Sequence, residues 1–440
     1  MERWEQFQGV YVHTPFCLQK CLYCDFPSYA GFTEDARQQY AEALCREIEV
    51  RSFRRELSVA EGATVYFGGG TPTVLSADQI RRIVDFLKQN GWWKEPAEAT
   101  IEANPGTVDE PKLEALREMG FDRISIGVQS LQDNELRALG RIHTAEQAVE
   151  AVRAAKQAGF QRINADLMSG IPCQTVESFR KTLDTVLQLD LSHISVYSLI
   201  LEEGTPLERL VGEGKVRLPD EEASFNMYEM TTDVLAKAGL QRYEISNYAA
   251  PGQESLHNLV YWHYEPYAAF GVGACTFTGM ERRTNAFDVQ EYIKGWNTAD
   301  FALQNDGTEM FGEGSLSAGT TSPAEKDVLH SERSESVTKW DSALWQTEPL
   351  DRKTQDSPLW QTEPLDRKTQ ISEAMIMGLR LRSGVSSDVM QKRFGIDIQH
   401  YYGKELERLR QNKMAEWDRG RLRLTEYGMR YGNRAFESFV

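Results

Sequence analysis

Short β-rich apolar runs alternate with amphipathic helical patterns from residue 10 to about residue 200. The runs predict six strands, at residues 10–13, 64–67, 100–103, 123–128, 163–168 and 193–200. Between them, apolar residues recur at helical spacing over 34–57, 78–90, 109–119, 144–158 and 175–189. Strands that alternate with helices form βαβ units and a parallel sheet. We therefore predict an α/β fold in which six units make an open, TIM-like partial (β/α)6 barrel over residues 1–205.

The pattern changes after this barrel. Residues 206–303 predict an α+β extension of the core, with a helix over 219–238, a strand near 243–247 and a small apolar run at 268–279. Residues 371–440 predict three helices, at 371–382, 386–394 and 399–412, and a hairpin at 414–425. Three helices followed by a hairpin predict a C-terminal winged-helix-like domain.

Residues 304–370, between these two regions, are rich in Gly, Ser, Thr and charge. They contain a tandem duplication in which DSALWQTEPLDRKTQ (341–355) is followed by the same 15 residues with Pro358 in place of Ala343. Two copies are too few for a solenoid, and the composition predicts a disordered surface insertion. A short partner-binding motif around Trp345 and Trp360 is the alternative.

Composition and charge narrow the class of protein. There is no apolar run of 18 residues, and the N-terminus MERWEQFQGVYVH lacks the features of a secretory signal. Six cysteines in 440 residues, three of them clustered, suit a reducing compartment, so we expect a cytoplasmic protein. A net charge of −17 argues against broad nucleic-acid binding. Residues 371–440 carry 13 basic and 9 acidic residues, so a DNA-binding wing is an alternative.

Three cysteines, Cys17, Cys21 and Cys24, lie in the run HTPFCLQKCLYCDF with the spacing C-x3-C-x2-C. A [4Fe–4S] cluster normally takes four thiolates, so three of them would leave one iron open to a small molecule. Zinc, with His13 as a fourth ligand, is the alternative. Disulfides are not expected because three is an odd number. The scattered cysteines are predicted to be small buried hydrophobic residues: Cys45, Cys173 and Cys275.

Polar motifs follow the predicted strands, where the chemistry of α/β folds is found. The glycine-rich run GGGTP (68–72) follows the second strand, 44 residues after Cys24, and lets the backbone approach a ligand closely. The polar side chains at successive strand ends suit hydroxyl and carboxylate groups of a ligand: Glu102, Gln129, Arg141 and Asp166. Tyr11 and Tyr23 flank the same rim and suit an aromatic ring.

Five motifs appear in order: GVYVHTPFCLQKCLYCDF, YFGGGTPT, IEANPG, RISIGVQS and INADLMSGIP. Together they resemble the HemN/HemW branch of the radical S-adenosylmethionine (SAM) superfamily, over nearly the whole chain apart from 304–370. The resemblance implies a [4Fe–4S] cluster on Cys17, Cys21 and Cys24, with SAM on its open iron. It also implies the residues around SAM: Tyr11, Tyr23, Phe26, Gly70, Thr71, Glu102, Gln129, Arg141 and Asp166.

The branch has two main members, an oxygen-independent coproporphyrinogen III oxidase and a haem chaperone. The oxidase has a further cysteine where this chain has Phe26, and an N-terminal extension for which the sixteen residues before Cys17 are too few. Both departures favour the haem chaperone, which would deliver haem to acceptor haemoproteins. The alternative is the oxidase, which decarboxylates a porphyrinogen oxidatively in porphyrin biosynthesis.

The run HNLVYW (257–262) matches the H-N-x-x-Y-W motif of the chaperone group. Imidazole is the usual axial ligand of haem iron, so His257 is the candidate haem ligand, with His263 as the alternative. The expected partners are haem, an acceptor haemoprotein of the respiratory, membrane-associated kind, and an electron donor to the cluster. A homodimer stays open, and nucleic acid is not expected.

Overall fold

A computed structural model describes residues 2–53, 55–298 and 359–440 of the chain. Fifteen strands lie within these residues: β1 Gln6–Thr14, β2 Ser58–Gly69, β3 Ala99–Ala103, β4 Arg123–Gln129, β5 Arg162–Ser169, β6 His193–Ser198, β7 Gln241–Arg242, β8 Asn247–Ala249, β9 Tyr267–Phe270, β10 Cys275–Phe277, β11 Glu281–Asn285, β12 Trp360–Pro364, β13 Val385–Ser386, β14 Ala415–Asp418 and β15 Arg421–Leu424.

Sixteen α-helices join them: α1 Glu34–Phe53, α2 Ala77–Gln89, α3 Glu110–Met119, α4 Asp133–Ala138, α5 Ala145–Gln157, α6 Val176–Leu187, α7 Pro206–Gly212, α8 Glu221–Lys237, α9 Leu256–Trp262, α10 Val289–Thr298, α11 Arg367–Leu379, α12 Ser387–Phe394, α13 Ile398–Tyr401, α14 Gly403–Gln411, α15 Glu426–Arg430 and α16 Gly432–Phe436. These counts refer to the three described ranges. Capping boxes begin α2, α5 and α6, at Ser76, Thr144 and Thr175.

The large sheet carries the predicted barrel. Its strands follow the order β12-β11-β10-β9-β1-β2-β3-β4-β5-β6-β8-β7, and β1 to β6 are parallel neighbours. The prediction of six parallel strands in an α/β barrel fold is confirmed. The strand β9 adds parallel to the outer edge of β1, so the 206–303 region extends the same sheet.

Alternation along β1 separates the outer and inner layers. Val10 and Val12 are fully buried in the main core, whereas Tyr11 and His13 contact each other on the inner side. The carboxyl ends of the parallel strands meet at one rim, because strands running the same way end at the same edge of the sheet. That rim carries the cysteine loop.

The C-terminal region has the predicted winged-helix character. The helices α11, α12 and α14 pack with the three-stranded sheet β13-β15-β14 around their own apolar core. Its first helix begins at Arg367 rather than at 371, since Asp366 caps it by accepting from the Thr369 N–H. The domain contacts the barrel through Arg382, whose N–H donates to Tyr243 O at 2.9 Å.

Three predictions differ from the structure. Residues 359–370 of the predicted insertion form β12 and the start of α11, because β12 pairs with β11; residues 304–358 lie outside the described part. The strand expected near 243–247 is instead the pair β7 and β8, with a turn between them. Cys173 is exposed, whereas Cys45 is buried as expected and Cys275 is intermediate. In the described residues, no helix is long and apolar enough to cross a membrane.

Candidate functional site

The cysteine loop follows β1 at the rim and is tied to two neighbouring segments. The Cys17 N–H donates to Tyr29 O at 2.9 Å, and the Leu22 N–H donates to Leu139 O at 3.0 Å. Cys17, Cys21 and Cys24 are free and partly exposed. Burial raises the pKa of the Cys17 and Cys24 thiols, so their ionised thiolate forms are costly in the absence of a metal. A bound metal would stabilise the thiolates and offset this cost.

The zinc alternative needs His13 as a fourth ligand beside the three cysteines. Both ring nitrogens of His13 are hydrogen-bonded, Nδ1 to Tyr11 OH at 3.0 Å and Nε2 to Pro27 O at 3.1 Å. In this structure His13 therefore has no free nitrogen for a metal.

The glycine-rich loop after β2 lies directly against the cysteine loop. A Cβ at Gly70 would lie 2.7 Å from Phe16 O and 3.1 Å from Cys17 Sγ, so only glycine fits without a shift. Thr71 Oγ1 is 3.7 Å from Cys17 Sγ. The structure therefore brings the predicted Gly70 and Thr71 to the first cysteine.

Arg141 reaches the second cysteine from the loop after α4. Its Nη1 donates to Cys21 Sγ at 3.4 Å, and its Nη2 donates to Asn104 Oδ1 at 2.6 Å and to Gly127 O at 2.7 Å. Its Nε is buried and has no hydrogen-bond partner in the described residues. A buried guanidinium N–H without an acceptor is costly, and the carboxylate of SAM on the adjacent open iron would supply one. The residues present therefore fit SAM.

Glu102 lies on β3 inside the barrel, just below the glycine loop. Its carboxylate accepts from Tyr66 OH at 2.7 Å and from the Gly69 N–H at 3.2 Å. Burial raises the pKa of Glu102 to about 7, with a smaller contribution from Asp166. A carboxylate with this geometry can accept hydrogen bonds from ribose hydroxyls of SAM in its ionised form.

Asp166 and Gln129 face the same interior from β5 and β4. Asp166 accepts from Ser125 Oγ and from Asn164 Nδ2, both at 2.8 Å, while burial raises its pKa. Gln129 has a φ of +64°, an uncommon value for a residue other than glycine. Such strain is concentrated at functional sites. An ideal Cβ on Gly127 would lie 3.0 Å from Gln129 Nε2 and 3.2 Å from Arg141, so these side chains converge.

The three predicted aromatic contacts occupy different positions. Tyr11 lies inside the barrel and forms a hydrogen bond of 3.0 Å between its OH and His13 Nδ1. Tyr23 packs on a small apolar cluster that includes Leu139 and Ile171, and burial raises its pKa. Phe26 is 64% exposed on the cysteine loop, so it is available to a ligand rather than packed in the core.

His257 lies at the opposite, amino-terminal end of the barrel. It is fully buried, with Nδ1 at 2.7 Å from Thr64 Oγ1 and Nε2 at 2.8 Å from Tyr261 OH. Burial lowers its pKa to about 3, so the ring is neutral. Both ring nitrogens of the candidate haem ligand His257 are therefore hydrogen-bonded in this structure.

Buried Glu98 holds α9 in this place. Its carboxylate accepts from the backbone N–H groups of Leu256 and His257, at 2.9 and 3.1 Å, and pairs with Arg162 at 2.8 Å. Carboxylates stabilise helix N-termini. Burial opposes ionisation, but the nearby arginines and the helix N–H groups outweigh it and lower the pKa of Glu98.

The other end of α9 meets the C-terminal domain. The guanidinium of Arg380 lies 4.7 Å from the Trp262 ring and 5.9 Å from the Phe436 ring. Tyr264 OH donates to Glu373 Oε2 at 2.7 Å. His263, the alternative haem ligand, is exposed at the end of the same helix. The HNLVYW segment thus connects the barrel base to the winged-helix-like domain.

Two side chains of the site are absent from the predicted set. Asn104 joins Thr71 to Arg141, and Tyr66 joins Glu102 to His257. Asn104 lies two residues after Glu102 and directly after β3, and this position at a strand end is the sequence signal that could have identified it. Tyr66 lies within β2 and resembles any core aromatic residue in the sequence.

Comparisons with known proteins agree with this geometry. The model of the radical SAM superfamily matches residues 11–186, and that of the HemN C-terminal domain matches residues 365–431. The heme chaperone HemW of Lactococcus lactis is 32% identical over 98% of this chain and 97% of its own length. That of Bacillus subtilis is 30% identical over 98% and 99%.

Solved structures support the fold. The coproporphyrinogen III oxidase HemN from Escherichia coli superposes with a TM-score of 0.73 over 99% of this chain and 91% of that chain. At 21% identity, this likeness concerns the fold alone. The cysteine loop at the rim, the HemN-type C-terminal domain and the full-length relatives agree: the chain belongs to the HemW family of radical SAM proteins.

Proposed function

We propose that the protein is a haem chaperone that carries a [4Fe–4S] cluster and SAM. The observation that supports this most directly is full-length similarity to proteins named heme chaperone HemW. The cluster would be held by Cys17, Cys21 and Cys24, with SAM on the open iron. When bound, this cluster can carry one electron and, with SAM, can generate a radical.

The protein's own residues prepare the SAM site. Gly70 permits the close approach of two loops, Arg141 has a buried Nε–H without an acceptor in the described residues, and Glu102 offers a carboxylate inside the barrel. The position taken by the oxidase's further cysteine is the exposed Phe26. The decarboxylation reaction of the oxidase therefore has no specific support from this site.

Haem would be held at α9, as the HNLVYW motif suggests, with His257 as the ligand. Because His257 is buried and bonded at both nitrogens, ligation requires α9 to leave the base of the barrel. The C-terminal domain, which packs on Trp262, would control that movement. The haem would then pass to an acceptor haemoprotein of the respiratory, membrane-associated kind. We also propose that an electron donor supplies the cluster, that the protein can form a homodimer and that it is located in the cytoplasm.

The test is a haem titration of the anaerobically reconstituted protein, followed by the Soret band, in wild type, His257→Ala and His263→Ala. Saturable binding that only His257→Ala weakens supports the chaperone function and its ligand. Loss in His263→Ala alone would place haem on the outer end of α9. No saturable binding by the wild type would contradict the chaperone function. Carbon dioxide release from coproporphyrinogen III with SAM and a reductant would support the oxidase.

A further inference from the structure

Asn104, which directly follows β3, joins two separate loops of the rim. Its Nδ2 donates to Thr71 Oγ1 at 2.7 Å, and its Oδ1 accepts from Arg141 Nη2 at 2.6 Å. The orientation of the amide is unambiguous because a guanidinium only donates. Asn104 thus connects the glycine-rich loop after β2 with the loop after α4.

Both partners of Asn104 continue to a cysteine sulfur. Arg141 Nη1 donates to Cys21 Sγ at 3.4 Å, and Thr71 Oγ1 lies 3.7 Å from Cys17 Sγ. The Thr71 hydroxyl has one proton, and Asn104 occupies one of its lone pairs. That proton can therefore turn to Gly70 O, 2.7 Å away, or to the sulfur of Cys17. One amide side chain orients a donor for each of two cysteines.

Asn104 is itself held in place by its surroundings. Its backbone N–H donates to Thr107 Oγ1 at 3.3 Å, and Thr107 Oγ1 donates to Asn104 O at 2.7 Å. A Cβ at Gly127 would lie only 2.5 Å from Asn104 Oδ1, so a side chain at 127 would displace the amide. The amide has a single defined position between its two partners.

We propose that Asn104 is a positioning residue that directs Arg141 and Thr71 at the thiolates of Cys21 and Cys17. The inference rests on the proposed cluster at Cys17, Cys21 and Cys24. Hydrogen bonds to the sulfurs of an iron–sulfur cluster influence its reduction potential. Donors at two thiolates stabilise the reduced cluster, which carries one more negative charge, and therefore raise the potential. The same contact holds Arg141 for the carboxylate of SAM.

The test uses the full-length protein, reconstituted without oxygen, as wild type, Asn104→Leu and Asn104→Asp. Asn412→Leu makes the same substitution at an exposed position and is the control for losses during purification and reconstitution. Asn104→Leu loses both hydrogen bonds, so we expect full iron content, a lower reduction potential and about tenfold weaker SAM binding, as for one lost bond to a charged group. Asn104→Asp keeps an acceptor for Arg141, so SAM affinity recovers, while its added negative charge keeps the potential low.

A second measurement shows whether Asn104 acts through its partners. In a protein that already carries Arg141→Met and Thr71→Val, Asn104→Leu should lower the potential no further, because the donors that it orients are gone. An unchanged potential in Asn104→Leu at full iron content would overturn the proposal. The proposal would also be overturned if Asn104→Leu lowered the reduction potential equally in the protein already substituted at Arg141 and Thr71. Failure of the wild type to form a cluster would instead contradict the proposed cofactor.

Discussion

Tyr66 donates a hydrogen bond to Glu102 at 2.7 Å, and this contact links the candidate SAM site to the base of the barrel. The ring of Tyr66 stacks on the ring of His257, with centroids 5.0 Å apart and an angle of 24° between the planes. Tyr11 stacks on the other rings of this set, 6.2 Å from Tyr66 and 6.4 Å from His257. Tyr66 therefore contacts both Glu102 and the candidate haem ligand His257.

The first prediction concerns SAM binding and pH. Burial raises the pKa of Glu102 to about 7. Ribose hydroxyl donors favour the ionised carboxylate, so binding should strengthen as the pH rises and level off above about 7. Below that midpoint, the Kd should increase by about tenfold for each pH unit. The measurement is the SAM Kd of the reconstituted protein between pH 6 and 8.5.

Two variants separate Glu102 from other groups that titrate. Glu102→Gln should remove the pH dependence that comes from Glu102. Any pH dependence that comes from titration of SAM itself would be the same in the wild type, Glu102→Gln and Tyr66→Phe. Tyr66→Phe keeps the ring stack but removes a donor that lowers the pKa of Glu102, so its midpoint should move to higher pH. A midpoint that does not move in Tyr66→Phe would show that the 2.7 Å contact does not stabilise the carboxylate.

The second prediction concerns the rate of haem binding. If α9 must leave the barrel base before His257 can bind iron, the observed rate of the Soret change should level off at high haem concentration. The plateau is then the rate of opening. Glu98→Gln weakens the hold on the N-terminus of α9 and should raise the plateau several-fold. A rate that increases linearly with haem in the His263→Ala protein would exclude this gate.

The sequence was sufficient to predict the barrel, because the spacing of apolar residues along the chain distinguishes its strands from its helices. The six parallel strands lie where the apolar runs lie, and the strand-end rule brought Gly70, Thr71, Glu102, Arg141 and Asp166 to one end of the barrel. The turn at 243–246 was not predictable, because buried Glu244 forms a bridge with distant Leu381. Tertiary pairing overrides local β-propensity at such positions.

The environment of His257 was beyond any sequence argument. The motif places a histidine at the start of a short helix, but its burial depends on Glu98, which lies 159 residues away in the sequence. Pairing of β12 with β11 likewise depends on a distant segment, so composition alone gave disorder for residues 359–370. In both cases, contacts between segments far apart in the sequence explain why the structure differs from the prediction.

The third prediction tests the contact of the glycine loop with the cluster loop. In Gly70→Ala the new Cβ would lie 2.7 Å from Phe16 O. One atom is a Cβ and the other a backbone oxygen, so a side-chain rotation cannot relieve the contact. Strain of about 1–3 kcal/mol is typical of overpacking, so the loops should separate and iron content after reconstitution should decrease. Gly212→Ala is the control, because outside its own helix backbone and adjoining residues no described atom lies within 4 Å of an ideal Cβ there, so this variant should keep its iron. Equal iron contents would contradict the tight approach.

The fourth prediction uses the tandem duplication as its own control. Trp360 stacks on Trp296, with centroids 5.9 Å apart, and Arg283 lies 5.4 Å from its ring. Trp360→Ala should lower the free energy of unfolding by about 1–3 kcal/mol. Trp345 is the matching residue of the first copy, which differs only in having Ala343 where the second has Pro358 and which lies outside the described residues. We predict that Trp345→Ala leaves the free energy of unfolding unchanged. Equal losses in urea unfolding would show that both copies stabilise the protein.

The fifth prediction concerns stability in acid. His143 is buried, with Nε2 at 3.2 Å from Val128 O, and burial lowers its pKa from 6.5 to about 4. The unfolded chain therefore binds the proton first, so stability is present above pH 6.5 and is lost as the pH falls to 4. The loss is roughly 3 kcal/mol. His143→Gln cannot titrate, so the difference in unfolding free energy between wild type and variant should shift by this amount between pH 7 and 4. A constant difference would show that folding does not lower the pKa of His143.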